Sequence, residues 1–495
     1  MNKKAVWGTA AVLLVAGYGA ATWYFGERAH SAYLEGVEDA RKLVGSEMLV
    51  SQQYTRGFWS SQAQLVLQWT PPVSEDAEDG DASAAAPQPI RVTVENTVRH
   101  GPLAGWRLAA AVIETRLGAV EGVGDSVRKG FAKVSAPTLT TVRTLTGSHD
   151  IALAWPAGEA GDGDSLVRWQ PLAYQMTLSA DRSRVSGDLS WPEFTMDVAH
   201  KAAEDEEGEE DELSADEEPA AATATAASER VAVTVQGMKG DFEMQLQDGL
   251  WLLAPGKARG AFGKVTVTRA PAGGAAPQPL LALQALSYST VIERSGSHLG
   301  WVNTLKGQGS IGPVALESLE LNETVSRIDV DAVKAVQKLL LDAYRSDQEA
   351  ALSATEAPWA AALGEAVPKF VAALPAYAVR LSAKMDGEQG GLEYGFELKS
   401  APDVNMVAEG AWGPALLQSS ALHASLRLPK AWLPRLAEAA GQKDAKPEDI
   451  DAMVGMAQAQ GFVKQEGTHL TSAVRVEGGK AVLNGKAIDL PFGGH

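Results

Sequence analysis

Strict alternation of apolar and polar residues is the dominant local signal in this chain. Ala63, Leu65, Leu67 and Trp69 alternate with Gln62, Gln64, Val66 and Gln68, so one sheet face is apolar and the other mostly polar. The pattern returns at Ile90, Val92, Val94 and Val98, at Phe242, Met244 and Leu246, and at Leu392, Tyr394, Phe396 and Leu398. One-sided alternation predicts antiparallel sheet with a solvated face, because parallel sheets are buried on both faces. A doubly wound α/β core is excluded on the same ground.

Helical periodicity is confined to a few segments. Residues 5–25 carry no charge and follow Asn2, Lys3 and Lys4. At 1.5 Å per residue the run reaches ~30 Å, one hydrocarbon thickness, which predicts a transmembrane anchor. Trp23, Tyr24 and Phe25 close it and Trp7 lies near its start, as interfacial aromatics do. The paired lysines keep the N-terminus cytoplasmic and send the rest across; a signal peptide cleaved near Gly19–Ala21 is the rival reading.

A separate juxtamembrane helix is predicted over 27–48, and further helices near 329–345 (N-capped by Asp329), 431–440 and 447–460. The fold class predicted is α+β, predominantly antiparallel sheet with a few packing helices, preceded by one transmembrane helix. Its divisions are an anchor at 1–26, a β-rich region at 49–200, an acidic insertion at 201–230 and a second β-rich region at 231–495. Gly101-Pro102, Gly312-Pro313 and Gly413-Pro414 each read as the end of a strand and a redirection of the chain.

Charge changes this picture only locally. The net charge of −19 is concentrated in eleven acidic residues between Glu204 and Glu218 and five between Glu75 and Asp81, which leaves about −3 for the remainder. Residues 73–89 and 201–229 lack the apolar density to repay ordering and are predicted to be disordered loops. No basic stripe is present, so nucleic-acid binding is not expected. With no cysteine, disulfides and thiolate ligands are excluded.

Candidate chemistry is sparse. Gly307–Gly312 fits GxGxxG, yet Pro313 and an alternating run follow where a dinucleotide fold needs a helix. Gly163-Asp164-Ser165-Leu166 spells the opening motif of GDSL-type hydrolases, and Asp197 and His200 supply a DxxH pattern only 30-odd residues later, so hydrolase remains a remote alternative. The eight histidines form no HxH or HExxH pair. No catalytic residue, cofactor or metal is predicted.

Tyr54-Thr55-Arg56-Gly57-Phe58-Trp59-Ser60-Ser61 before an alternating strand, His100-Gly101-Pro102 after another, and a terminal Asn484-Gly485-Lys486 resemble the YdgA-like family of bacterial proteins of unknown function. The resemblance includes the N-terminal anchor and a glycine-containing segment at 461–464 before two closing strands, around 472–477 and 480–484. It implies a Gram-negative inner-membrane-anchored protein with its ectodomain in the periplasm, and it brings no reaction, cofactor or catalytic residue. Physically, Gly57 and Gly101 suit tight backbone positions, Pro102 fixes φ, Arg56 is placed to pair across strands, and Asn484-Gly485 is a hairpin signal. Tyr54, Arg56, Trp59 and His100 are the first places to look for a site. The function expected is non-enzymatic: a long β surface that binds or scaffolds an envelope component. The alternative is a lipid-binding or lipid-transfer module with an apolar groove.

Overall fold

The computed structural model describes residues 3–44, 48–70, 88–124, 128–130, 134–161, 165–200, 229–271, 276–345, 364, 366–402, 412–439 and 446–488. The two acidic tracts predicted to be loops lie almost wholly outside the described residues, as does the 162–164 part of the GDSL motif.

One antiparallel meander dominates. Its N-terminal strands are β1 (Leu49–Thr55), β2 (Ser60–Trp69), β3 (Ile90–His100), β6 (Ala111–Glu121), β7 (Thr138–Arg143), β8 (His149–Trp155) and β11 (Leu172–Leu178). It continues through β12 (Arg184–His200), β13 (Glu229–Gln245), β14 (Gly256–Ala270), β15 (Gln278–Ser295), β16 (His298–Ile311) and β17 (Val314–Asp329). The closing strands are β18 (Ala376–Met385), β19 (Glu388–Leu398), β20 (Ser420–Pro429), β22 (His469–Glu477), β23 (Lys480–Leu483) and β24 (Lys486–Ile488). Each hydrogen-bonds to the next in that order. A side hairpin, β9 (Gly158–Gly161) with β10 (Ser165–Trp169), pairs with the far half of β12. β21 (Lys464–Glu466) adds to β22, and the short hairpin β4 (Leu103–Ala104) with β5 (Arg107–Leu108) stands apart. β12 and β13 pair directly across the acidic insertion, so that insertion separates neighbouring strands of one sheet.

The hydrophobic phase slips along one line across this sheet. On β13 the apolar positions are Val231, Val233 and Val235, then Met238, Phe242 and Met244. Gly237 lies between them at φ 65°, and two strands over in that line Ala285 on β15 sits at φ 50°. A left-handed residue reverses the alternation, so the apolar set stays on one face across the kink. β16 needs no slip, because its partners carry the extra residue at Gln284/Ser287 on β15 and opposite Gly307/Gly309 on β17. The GxGxxG glycines therefore serve a bent strand and its closing turn.

Helices cover only parts of the sheet. The anchor and juxtamembrane segments predicted separately form one helix, α1, from Lys3 to Val44. Among the described residues no helix is long and apolar enough to cross a membrane, so the structure lends the predicted transmembrane helix no support; side chains before Val15 lie outside the described set. α1 packs on β3, β6 and α2 (Val330–Arg345), while α2 also packs on β17. Strands far apart in sheet order thus meet one helix pair, which requires the sheet to curl. Asp329 caps α2 by accepting the Ala332 N–H at 2.9 Å. Pro414 falls in the first turn of α3 (Trp412–Ser419) instead of redirecting a strand; there its missing N–H costs nothing. A 3-10 turn (Lys430–Trp432), α4 (Leu433–Ala439) and α5 (Pro447–Ala459) precede the last hairpins.

Burial is correspondingly local. The largest core cluster joins Leu250, Leu299, Val325, Ile328, Val330 and Val333 at the base of α2, with Ile292, Trp301 and Tyr377 against it. A second joins Val314, Met385 and Trp432, and a third Ala104, Ala109 and Val112.

Candidate functional site

The sequence-predicted residues separate into two places. Tyr54, Arg56, Gly57, Trp59, Ser60, His100, Gly101 and Pro102 gather where α1 meets the start of the sheet. The register explains this: Ser60 pairs with Arg99, so the β1–β2 turn and the end of β3 share one sheet edge. Asn484, Gly485 and Lys486 form the β23–β24 turn at the other end of the meander.

At the helix junction His100 is only 2% exposed. Its Nδ1 lies 3.0 Å from the Phe58 carbonyl and its Nε2 2.9 Å from Ser61 Oγ. A carbonyl can only accept, so Nδ1 donates to Phe58; in the neutral ring Nε2 then accepts from the Ser61 hydroxyl. The ring packs on Gly26 of α1, where a Cβ would stand 2.7 Å from Nδ1. This histidine is therefore a buried core group with both ring nitrogens hydrogen-bonded.

Around it the contacts tie the helix to the sheet. Arg56 pairs with Glu27 of α1 rather than across strands, also reaches the Trp23 carbonyl at 3.3 Å, and lies over the Trp23 ring. Tyr18 stacks on Trp59, and His30 and Tyr33 pack against Tyr54. Burial pushes the Tyr54 phenol up, opposed by Ser61 and Arg56; Tyr33 is raised by burial and then by Tyr54. Gly57 and Gly101 allow backbone contacts, since a Cβ would meet the Ser60 carbonyl at 2.3 Å and the Ala109 carbonyl at 2.1 Å.

Asn484, at φ 51°, is equally structural. Its amide donates to the Gly461 and Phe462 carbonyls at 2.8 and 2.9 Å and its oxygen accepts the Ala473 N–H at 2.8 Å, which ties the last hairpin to the end of α5. Lys486 is exposed on β24. Neither group assembles catalytic chemistry.

The hydrolase reading loses its context. Ser165 opens β10 in an antiparallel hairpin, 32 residues before Asp197 in the chain. Asp197 is engaged by Arg230 at 3.0 Å, and the His200 side chain lies outside the described residues. No group of three or more His, Asp or Glu side chains among the described residues could hold a metal ion.

A surface that no motif announced lies on the sheet itself. Tyr288, Leu305, Leu321, Leu381, Leu392 and Leu426 are direct cross-strand neighbours from β15 to β20. Five strand spacings make this row about 24 Å long. Tyr288, Leu392 and Leu426 remain 39%, 38% and 38% exposed. The core at α2 closes one end of these strands and the Trp432 cluster the other, leaving the row open between them.

Beside that row runs a polar seam. Thr290 donates to Asn303 Oδ1 at 2.8 Å, and Asn303 Nδ2 donates to Glu323 at 2.7 Å. The hydroxyls of Tyr377 and Tyr394 lie 3.4 Å apart, and that contact, with burial and Glu323 behind it, pushes the Tyr377 phenol well above its ordinary range. Periodicity had marked 392, 394 and 396 as an apolar face. The alignment of six strands into one uncovered row needed the register.

A predominantly antiparallel β protein with a few packing helices is the class these features define. The chain belongs to the family described as "Bacterial protein of unknown function (DUF945)", which it matches over residues 1–491. No curated protein and no solved structure matches it.

Proposed function

We propose that this protein is a non-enzymatic binding module of the bacterial envelope whose open sheet face receives an amphipathic lipid. The uncovered row from Tyr288 to Leu426 carries the reading. Soluble sheets ordinarily bury such a face, and a contiguous exposed apolar patch marks a place where something binds. The row is longer than one leaflet of a ~30 Å hydrocarbon core, enough for an acyl chain, and the seam of Asn303, Glu323 and Tyr394 offers donors and acceptors to a polar end.

Tethering belongs to the same reading. The uncharged run 5–25 begins the helix that docks against β3 and β6, and the lysines before it favour a cytoplasmic N-terminus. The YdgA-like resemblance supports an inner-membrane, periplasm-facing placement and a scaffolding role toward another envelope component. Such a tether would hold the sheet within reach of lipid.

Native mass spectrometry of the full chain extracted in detergent tests the binding. Co-purifying lipid that is lost in Leu392→Asp and Leu426→Asp is the expected result. A lipid-free wild type, or lipid retained equally by both variants, would overturn it.

A further inference from the structure

The apolar row that reaches Tyr288 continues past it toward the N-terminal strands. Tyr288 pairs with Gly260, and the register then passes through Gly240, Leu189, Tyr174 and Leu153 to Leu139. Directly opposed residues share a face, so one row crosses the sheet from β7 to β20. At the spacing of neighbouring strands it is about 53 Å long.

The row lies on the concave side of the curl. Extended further, the same line ends at Tyr54, against which α1 packs, and Val325 on the same face of β17 packs on α2. Among the described residues no helix packs on β8 or on β11 to β14, yet Leu153, Tyr174 and Leu189 are half-buried. The row is thus the floor of a trough.

One glycine in this floor has no partner within the fold. Gly187, in the adjacent row, is explained by its neighbour: a Cβ there would stand 2.7 Å from Phe242, which stacks on Tyr174. Gly260 is different, because its φ is not left-handed and a Cβ would meet Tyr288 Cβ only at 3.9 Å. Glycine inside a strand weakens it and marks a place where another molecule approaches closely.

Polarity is distributed unevenly along the trough. The adjacent row passes Ile151, Met176, Phe242 and Ala258 before it meets the polar seam at Thr290. Side-chain amides and carboxylates therefore stand at one place only on these two rows. From Asn303 to Leu139 the track runs about 34 Å, more than twice the ~15 Å depth of one leaflet. Along both rows from β8 to β20 Glu323 is the one charged residue, and its carboxylate accepts a hydrogen bond from a hydroxyl but repels a phosphate.

Resting on the lipid reading above, we infer that the occupant is one polyisoprenoid alcohol, its hydroxyl at the Asn303–Glu323 seam and its chain laid over Gly260 toward Leu139. A single polar end matches the single seam. A chain of many isoprene units fills a track that an ordinary acyl chain leaves half empty. Acyl lipids laid end to end would each bring a polar end, and the β7–β14 part of the track has no seam to receive one.

Undecaprenol, farnesol and dipalmitoylphosphatidylglycerol would be offered separately to the delipidated full chain in detergent, with occupancy read by native mass spectrometry. The expected result is one undecaprenol per chain. Gly260→Leu, which fills the floor, and Leu189→Asp, which charges it, should each weaken undecaprenol binding at least about tenfold. Farnesol, short enough to lie on the β15–β20 part alone, should change by less than about twofold and shows that both variants are folded. Two or more phosphatidylglycerol molecules bound in preference to undecaprenol, or undecaprenol held equally by both variants, would overturn the isoprenoid assignment and leave the lipid reading standing. A wild-type chain that binds none of the three would overturn both.

Discussion

The helix junction and the open sheet face use the same strand grammar to opposite ends. At the junction every polar group of His100 is matched, glycines admit backbone to backbone, and α1 closes over the strands. Between β15 and β20 the row from Tyr288 to Leu426 has no helix above it among the described residues and stays more than a third exposed at Tyr288, Leu392 and Leu426. Motif residues thus concentrate where the fold is closed and positioned, whereas the face proposed to take a lipid carries no motif. Motif density in this chain marks scaffolding.

The sharpest break of that comparison comes from His100→Ala. It empties a buried site and orphans Ser61 and the Phe58 carbonyl, which should cost about 3 kcal/mol in urea unfolding of the full chain. Lipid co-purification by the folded fraction should be unchanged. Conversely, Leu392→Asp should lower lipid recovery about tenfold while shifting stability by less than ~1 kcal/mol, since the position is already partly wet. A large stability loss there would mean that the face is covered in solution. Between these lies Asn484→Ala, which removes three hydrogen bonds and should cost ~1–2 kcal/mol, seen as faster hydrogen exchange across 461–488 and no change in lipid recovery.

Two pH effects are smaller and locate charge at the sheet edge. Burial, with Arg143 and Arg182 nearby, holds His149 below its ordinary 6.5, so the unfolded chain binds the proton more readily. Stability should therefore fall as pH drops below 6.5, level off below the native value, and lose that dependence in His149→Gln. Asp181 is drawn down from 3.8 to about 2 by the Ser179 hydroxyl and by Ser183. It contributes stability above pH 3.8 that is lost as pH falls toward 2, and Asp181→Asn should flatten acid unfolding in that window.

Much of the local structure was legible. Period-two alternation placed β2, β3 and β19, and the N-cap at Asp329 with Pro447 placed two helices, because these signals act within a few residues. Even the kink could be seen as the change of phase from Val235 to Met238 around Gly237. Arg56 was misjudged for a physical reason: its partner Glu27 is 29 residues away on a helix whose docking no local pattern encodes. His100 looked like a site residue because its burial depends on Gly26, which sequence does not bring near it.

The sequence by itself determined which residues alternate, where chains turn, and that sixteen of the acidic residues cluster in two short tracts, since propensity, turn chemistry and charge are local quantities. Only the tertiary structure decided that the strands form one continuous curled sheet, that α1 is unbroken into the fold, and which apolar row is left open. Those outcomes depend on register and on helix docking between distant segments, where a single residue of slip moves every side chain to the other face.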